Sequence, residues 1–121
     1  MPIFDIEIVT RRGESVAPEL AADLSDALGA VLGAAPGKVW VKLRLLGPGS
    51  YAENLSGEDR PHPVFVTLTA SAPPEGERLE QLARQVTQAV ARLAKRPPEN
   101  VHVLVQPAAR GRIAFGGNLV P

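Results

Sequence analysis

The 121-residue chain has no cysteine, which excludes a disulfide framework and any thiolate nucleophile or ligand. Its two histidines, His62 and His102, are far apart, and no zinc-binding pattern joins them. Net charge is missing as well. Thirteen basic and thirteen acidic side chains cancel, so no global field favours nucleic acid or an anionic membrane. No apolar run approaches the ~18 residues of a membrane span. The first residues show no basic stretch followed by an apolar one, so no secretory leader is expected and a cytoplasmic location is the default. No glycine loop follows a strand to cradle phosphate, since Gly47-Pro48-Gly49 reads as a turn, and no serine-nucleophile elbow occurs. These absences leave a single soluble domain over residues 1–121, with 45% hydrophobic and 21% charged residues.

The chain is richer in internal similarity. Residues 2–10 alternate as a strand. Leu20, Leu24, Leu28, Val31 and Leu32 recur at helical spacing over 18–34. From Lys38 to Leu46, Val39, Val41, Leu43 and Leu45 take one strand face and Trp40, Lys42 and Arg44 the other. The order then repeats: a strand from Val64 to Ser71, a helix over 75–95 with Leu79, Leu82, Val86, Val90 and Leu93 in phase, and a strand from Val101 to Gln106. A shift of 62 lays Leu20 on Leu82, Leu24 on Val86, Leu28 on Val90, Pro36 on Pro98 and Val39 on Val101. Slightly different shifts pair Pro2 with Pro63, and Tyr51 to Leu55 with Phe115 to Leu119. Ser15 with Pro18, and Pro73-Pro74 before Glu75 and Glu77, mark the helix starts. The expectation is a two-layer α/β (α+β) domain of duplicated β-α-β units, about 2–55 and 63–119. A four-stranded sheet would carry two helices on one face. The opposite face mixes Asp5, Glu7, Lys42, Arg44 and His102 with Ile3, Val9, Trp40, Phe65 and Leu104, too apolar a set for a free surface, and this predicts self-association.

Pro2 opens the first strand. With Met1 removed, it carries a secondary amine at the chain terminus. Apolar surroundings disfavour the ammonium form and bring such an amine toward a general base near neutral pH. With Met1 attached, the same nitrogen is an amide and has no lone pair to offer.

Met1-Pro2-Ile3, the strand ending in Thr10-Arg11-Arg12-Gly13, the prolines before the second strands, and Ala114-Phe115-Gly116-Gly117-Asn118 together resemble the tautomerase superfamily. Its members include 4-oxalocrotonate tautomerase, 5-carboxymethyl-2-hydroxymuconate isomerase and macrophage migration inhibitory factor. The resemblance covers nearly the whole chain, and the duplicated length resembles the fused members. It implies cofactor-independent proton transfer on a small anionic enol or keto acid, with Pro2 as the base and the chain as a homotrimer. It also implies that Arg12, or its neighbour Arg11, holds a substrate carboxylate, a task suited to a forked guanidinium. His102 falls where some members place a tyrosine beside the proline, and Trp40 and Phe115 could form an apolar wall. The lysine that some members carry before the proline of the second strand is Ala35 here. Arg96 precedes Pro97-Pro98 in the second copy, where a basic residue also complements a helix dipole. Residues 47–62 read as a lid or a linker. A hydratase–dehalogenase variant would need a carboxylate near Pro2, for which Glu53, Glu99 and Asp5 are available. A ferredoxin-like binding module with the same element order, and a trimeric protein without activity, are the competing readings.

Overall fold

The computed structural model describes residues 1–57 and 59–121. Strands β1 (Ile3–Val9), β2 (Trp40–Leu46), β3 (Val64–Thr69) and β4 (Val101–Val105) form one sheet in the order β2-β1-β3-β4. Helix α1 (Leu20–Leu32) joins β1 to β2, and α2 (Gly76–Ala94) joins β3 to β4. Each β-α-β unit is parallel, and the units meet through antiparallel β1 and β3. Ile3 pairs with Trp40 and Val64 with Val101, so the two units close with the same sequence separation. The strand order is that of two unsplit β-α-β units, whereas a ferredoxin-like chain separates the two strands of each unit by another strand.

Alternation decides the layers. Phe4, Ile6 and Ile8 of β1 and Val64, Val66 and Leu68 of β3 are buried. They pack in one core with Leu20, Leu24 and Leu28 of α1 and Leu82, Val86 and Val90 of α2. Both helices therefore cover the same face, as the stripes in the sequence require. The other face runs in rows across the sheet. Asp5 stands between Lys42 and Thr67, and Glu7 between Arg44 and Phe65. Two of these neighbours are ion pairs, Lys42 Nζ to Asp5 Oδ1 at 3.0 Å and Arg44 Nε to Glu7 Oε2 at 3.8 Å. Trp40 and Leu104 remain 41% and 58% exposed on one chain.

The tail duplication expected from the sequence holds only once. Ala114–Phe115 (β5) and Asn118–Leu119 (β6) pair as a hairpin around Gly116 and Gly117, at φ 59° and 87°. Two consecutive positive φ values suit a two-residue hairpin turn and favour glycine at both positions. The corresponding stretch Tyr51 to Leu55 has no strand, because Ala52-Glu53 cannot supply that turn as Gly-Gly does.

One buried cation ties the units together. Lys95 adopts φ 56°, a left-handed conformation that ends α2 and turns the chain inward. Arg96 follows and is only 4% exposed. Its guanidinium forks onto Glu14, with Nη1 to Oε2 at 3.0 Å and Nη2 to Oε1 at 2.8 Å. It also donates to the carbonyls of His62 at 2.7 Å and Val9 at 2.8 Å. Arg96 thus links the end of α2, the end of β1 and the entry to β3. The hydrogen bonds from Arg96, helped by the Arg11 backbone N–H, hold the Glu14 carboxyl down at about 2 from an ordinary 4.5, against an opposing push from burial.

Two outcomes follow for stability. Glu14→Gln leaves a buried guanidinium uncompensated and should cost about 3 kcal/mol in chemical denaturation. Because the folded-state pKa of Glu14 lies below its unfolded value, its contribution is complete above pH 4.5 and is lost as pH falls toward 2. The gap between wild type and Glu14→Gln should therefore close over that range, and a gap that is constant with pH contradicts the assignment. Lys95→Gly should stabilise by about 1 kcal/mol, by relieving a left-handed lysine. An unchanged or lower thermal midpoint would contradict this.

Candidate functional site

Pro2 lies just before β1, at the end of the sheet where β2 starts and β3 finishes. Its carbonyl accepts the Trp40 backbone N–H at 3.0 Å. Trp40 is held in turn by its indole N–H, which donates to the Gly37 carbonyl at 3.2 Å. The Trp40 and Phe115 rings meet edge to face at a centroid distance of 5.4 Å. Phe115 reaches this end because the segment after β4 crosses it. Gln106, Ala109 and Arg110 donate their backbone N–H groups to Leu68, Ala70 and Ser71. The glycine hairpin then carries Phe115 to Trp40. Three of the residues expected to share a site, Pro2, Trp40 and Phe115, thus come together from three distant stretches of the chain.

The other three do not join them within one chain. His102 pairs with Phe65, in the row of Glu7. That row is five residues along from Pro2, roughly 16 Å at strand rise. The His102 ring lies 5.6 Å from that of Phe65 on the open sheet face. Arg11 and Arg12 follow β1 at its far end, roughly 20 Å or more from Pro2. The expectation that either arginine holds a carboxylate beside Pro2 is therefore not what a single chain builds, because a strand places its two ends on opposite edges of the domain. Arg11 is occupied locally. Its backbone N–H donates to Glu14 Oε1 at 2.9 Å, and its Nη1 lies 3.5 Å from Glu14 Oε2.

Arg12 instead lines a depression of about 280 Å³ with Pro48, Gly49, Arg60 and His62. Val9 donates its N–H to the Pro63 carbonyl at 2.9 Å, which sets the His62 segment beside the end of β1. Burial, followed by the charges of Arg11, Arg60 and Arg96, pushes the His62 imidazole below its usual range, so it is neutral at pH 7. Arg60 lies 5.5 Å from the centre of the Tyr51 ring. The Tyr51 hydroxyl donates to Glu53 Oε2 at 2.6 Å, and burial, then that carboxylate, raises it to about 12. Sequence patterning did not single out Arg60 or His62, since both fall in the 47–62 connection, which has no periodicity to read.

Among the carboxylates considered for water activation, Asp5 is bound to Lys42, and Glu53 is bound to Tyr51 in the 47–62 connection. Glu99 sits in the short 3-10 turn Pro98–Asn100 before β4, opposite the Pro2 end. Among the described residues, no group of three or more His, Cys, Asp or Glu could hold a metal ion. No helix among them is long and apolar enough to cross a membrane.

Known proteins share both the sequence and the fold. A family model described as tautomerase enzyme matches residues 65–121, the second β-α-β unit and its hairpin. A probable tautomerase of Streptococcus pyogenes serotype M3 is 43% identical over 47 residues, which are 39% of this chain and 77% of that protein. The fused 4-OT wild-type symmetric trimer superposes with a TM-score of 0.74 at 16% identity, over 98% of this chain and 94% of that one. Macrophage migration inhibitory factor from Oncomelania hupensis superposes with a TM-score of 0.76 at 18% identity, over 100% of this chain and 83% of that one. The structural likenesses establish the fold, and the sequence match to a relative covered over most of its length establishes descent. The chain belongs to the tautomerase superfamily.

Proposed function

We infer that the protein is a cofactor-independent tautomerase of a small anionic enol or keto acid, with Pro2 as the general base once Met1 is removed. The observation that carries this reading is the assembly of the Trp40–Phe115 aromatic pair at the Pro2 end of the sheet. An amine beside aromatic surface is poorly solvated as an ammonium ion, so its neutral form persists to lower pH. The neutral amine takes a proton from an enol hydroxyl, or from carbon next to a carbonyl, and returns it at the other end of the conjugated system. No electrons are transferred, and no cofactor is required.

The chain acts as a homotrimer in this reading. The open sheet face, with Trp40, Phe65 and Leu104 among two ion pairs, is the surface that copies would cover. A substrate at Pro2 draws its remaining contacts from a neighbouring subunit. The expected one is His102 on the open face, donating to the carbonyl oxygen. Light scattering should give a trimer of the 12.8 kDa chain, and a stable monomer at micromolar concentration would remove this part of the account.

Two kinetic outcomes test the base. Protein that retains Met1 should lose turnover of an enol acid such as a phenylpyruvate-type substrate by about 10²-fold or more, the usual contribution of a general base. Undiminished turnover with Met1 attached contradicts the mechanism. In the processed enzyme, kcat/KM should rise with pH as the amine deprotonates, then level off. Trp40→Ala admits water to the amine, raises its pKa and should move the rising limb to higher pH. A limb that stays in place would mean that Trp40 does not shield the base.

A further inference from the structure

We propose that Tyr51 and Phe65 are positioning residues for His102: a row of tilted rings that holds the imidazole at the angle from which it donates to a substrate carbonyl. The proposal rests on the reading above, in which His102 serves a substrate at a neighbouring subunit's Pro2.

The repeat builds the row. Ile3 pairs with Trp40 in the first unit, and Phe65 pairs with His102 in the second. A shift of 62 carries the first pair onto the second, and Tyr51 matches Phe115 in the tails. Each tail thus leans an aromatic ring on the other unit. Phe115 meets Trp40 directly, with centroids 5.4 Å apart. Tyr51 meets Phe65 at 5.9 Å with a tilt of 48°, and Phe65 meets His102 at 5.6 Å with a tilt of 39°. The middle ring exists because the second unit has Phe65 where the first has Ile3.

The imidazole depends on this row. His102 is exposed, and among the described residues neither of its nitrogens takes part in a hydrogen bond. Its strand, β4, is an edge of the sheet, so within the chain β3 alone supplies a cross-strand neighbour, and that neighbour is Phe65. The ring face is therefore held while both nitrogens stay open to a ligand. The far end of the row is fixed. The Tyr51 hydroxyl donates to Glu53 Oε2 at 2.6 Å, and with its pKa raised to about 12 by burial and then that carboxylate it keeps its proton at neutral pH. Arg60 holds the same residue twice, with its guanidinium 5.5 Å from the ring centre and its Nη2 donating to the Tyr51 carbonyl at 3.0 Å. Residues of the 47–62 connection thus brace the open sheet face. A donor set in place beforehand needs no reorientation as charge develops on the carbonyl oxygen, so its benefit falls on kcat.

The test uses the Met1-free protein and an enol acid, with light scattering to verify that each variant keeps the wild-type assembly. His102→Leu should lower kcat about 10²-fold, the usual contribution of a donor to a developing oxyanion. Phe65→Leu and Tyr51→Leu should each lower kcat about tenfold, the effect of a misplaced donor, with KM little changed. Phe65→Tyr, which restores the ring, should recover most of the loss. In the His102→Leu background neither tenfold loss should recur. Full recurrence there means that the rings serve only the fold, and it overturns the proposal, as does a wild-type kcat in Phe65→Leu. If His102→Leu itself leaves kcat unchanged, the donor role fails and takes the proposal with it, while Pro2 as the base stands. Proton NMR decides the geometry without turnover. The chain has two histidines, so the His102 imidazole signals are identified by their loss in His102→Leu. They should carry the ring-current shift of Phe65 in the wild type, lose it in Phe65→Leu and lose part of it in Tyr51→Leu. Signals at free-histidine positions in the wild type overturn the proposal, whether or not Pro2 is the base.

Discussion

The antiparallel pairing of β1 with β3 is the constraint on which the rest of the molecule depends. It joins two β-α-β units that could not each bury a helix stripe and a sheet face alone, and it fixes the register of both. Phe4 stands opposite Leu68, Ile6 opposite Val66 and Ile8 opposite Val64, so every inward side chain of the central pair meets another. A slip of one residue would turn that whole set toward solvent. The same pairing makes two corners, each formed by one strand's start and the other's finish.

The corners are stabilised in different ways. At the Pro2 corner the contacts are aromatic and backbone, a Trp40–Phe115 edge contact beneath a crossing C-terminal segment. These surroundings suit the base proposed at Pro2, which must shed its proton easily. The opposite corner is polar and rigid. Arg96, buried, fastens Glu14, Val9 and His62, and Glu14 in turn fastens Arg11. Such a network fixes the turn that follows β1. A neutral His62 within it avoids adding a further positive charge.

Much of the fold was legible in the sequence, because the signals were local. Leu20, Leu24 and Leu28 sit at helical spacing, and Val64, Val66 and Leu68 alternate, so both helices and the central strands could be placed within a few residues. The repeat was legible from Pro36 and Pro98 as much as from the helices. The grouping of side chains was harder to read. Pro2, Trp40 and Phe115 meet through chain crossings that no periodicity encodes. Pro2 and Arg12 flank one strand, β1, and a strand separates its ends. Arg96 reads as a residue complementing a helix dipole until the left-handed Lys95 turns it into the interior. Arg60 and His62 lie in a connection whose proline and glycine content signals a loop and nothing about its charge.

The most direct test of the central claim, that the chain's chemistry resides in an amino-terminal secondary amine at the aromatic corner, is covalent mapping. The Met1-free protein is treated with an electrophilic acetylenic 2-oxo acid at neutral pH, and the adduct is located by peptide mass spectrometry. The account predicts one adduct per chain, on the Pro2 nitrogen, with loss of turnover in proportion to labelling and no reaction when Met1 is retained. Labelling elsewhere, or equal labelling with Met1 attached, would contradict it.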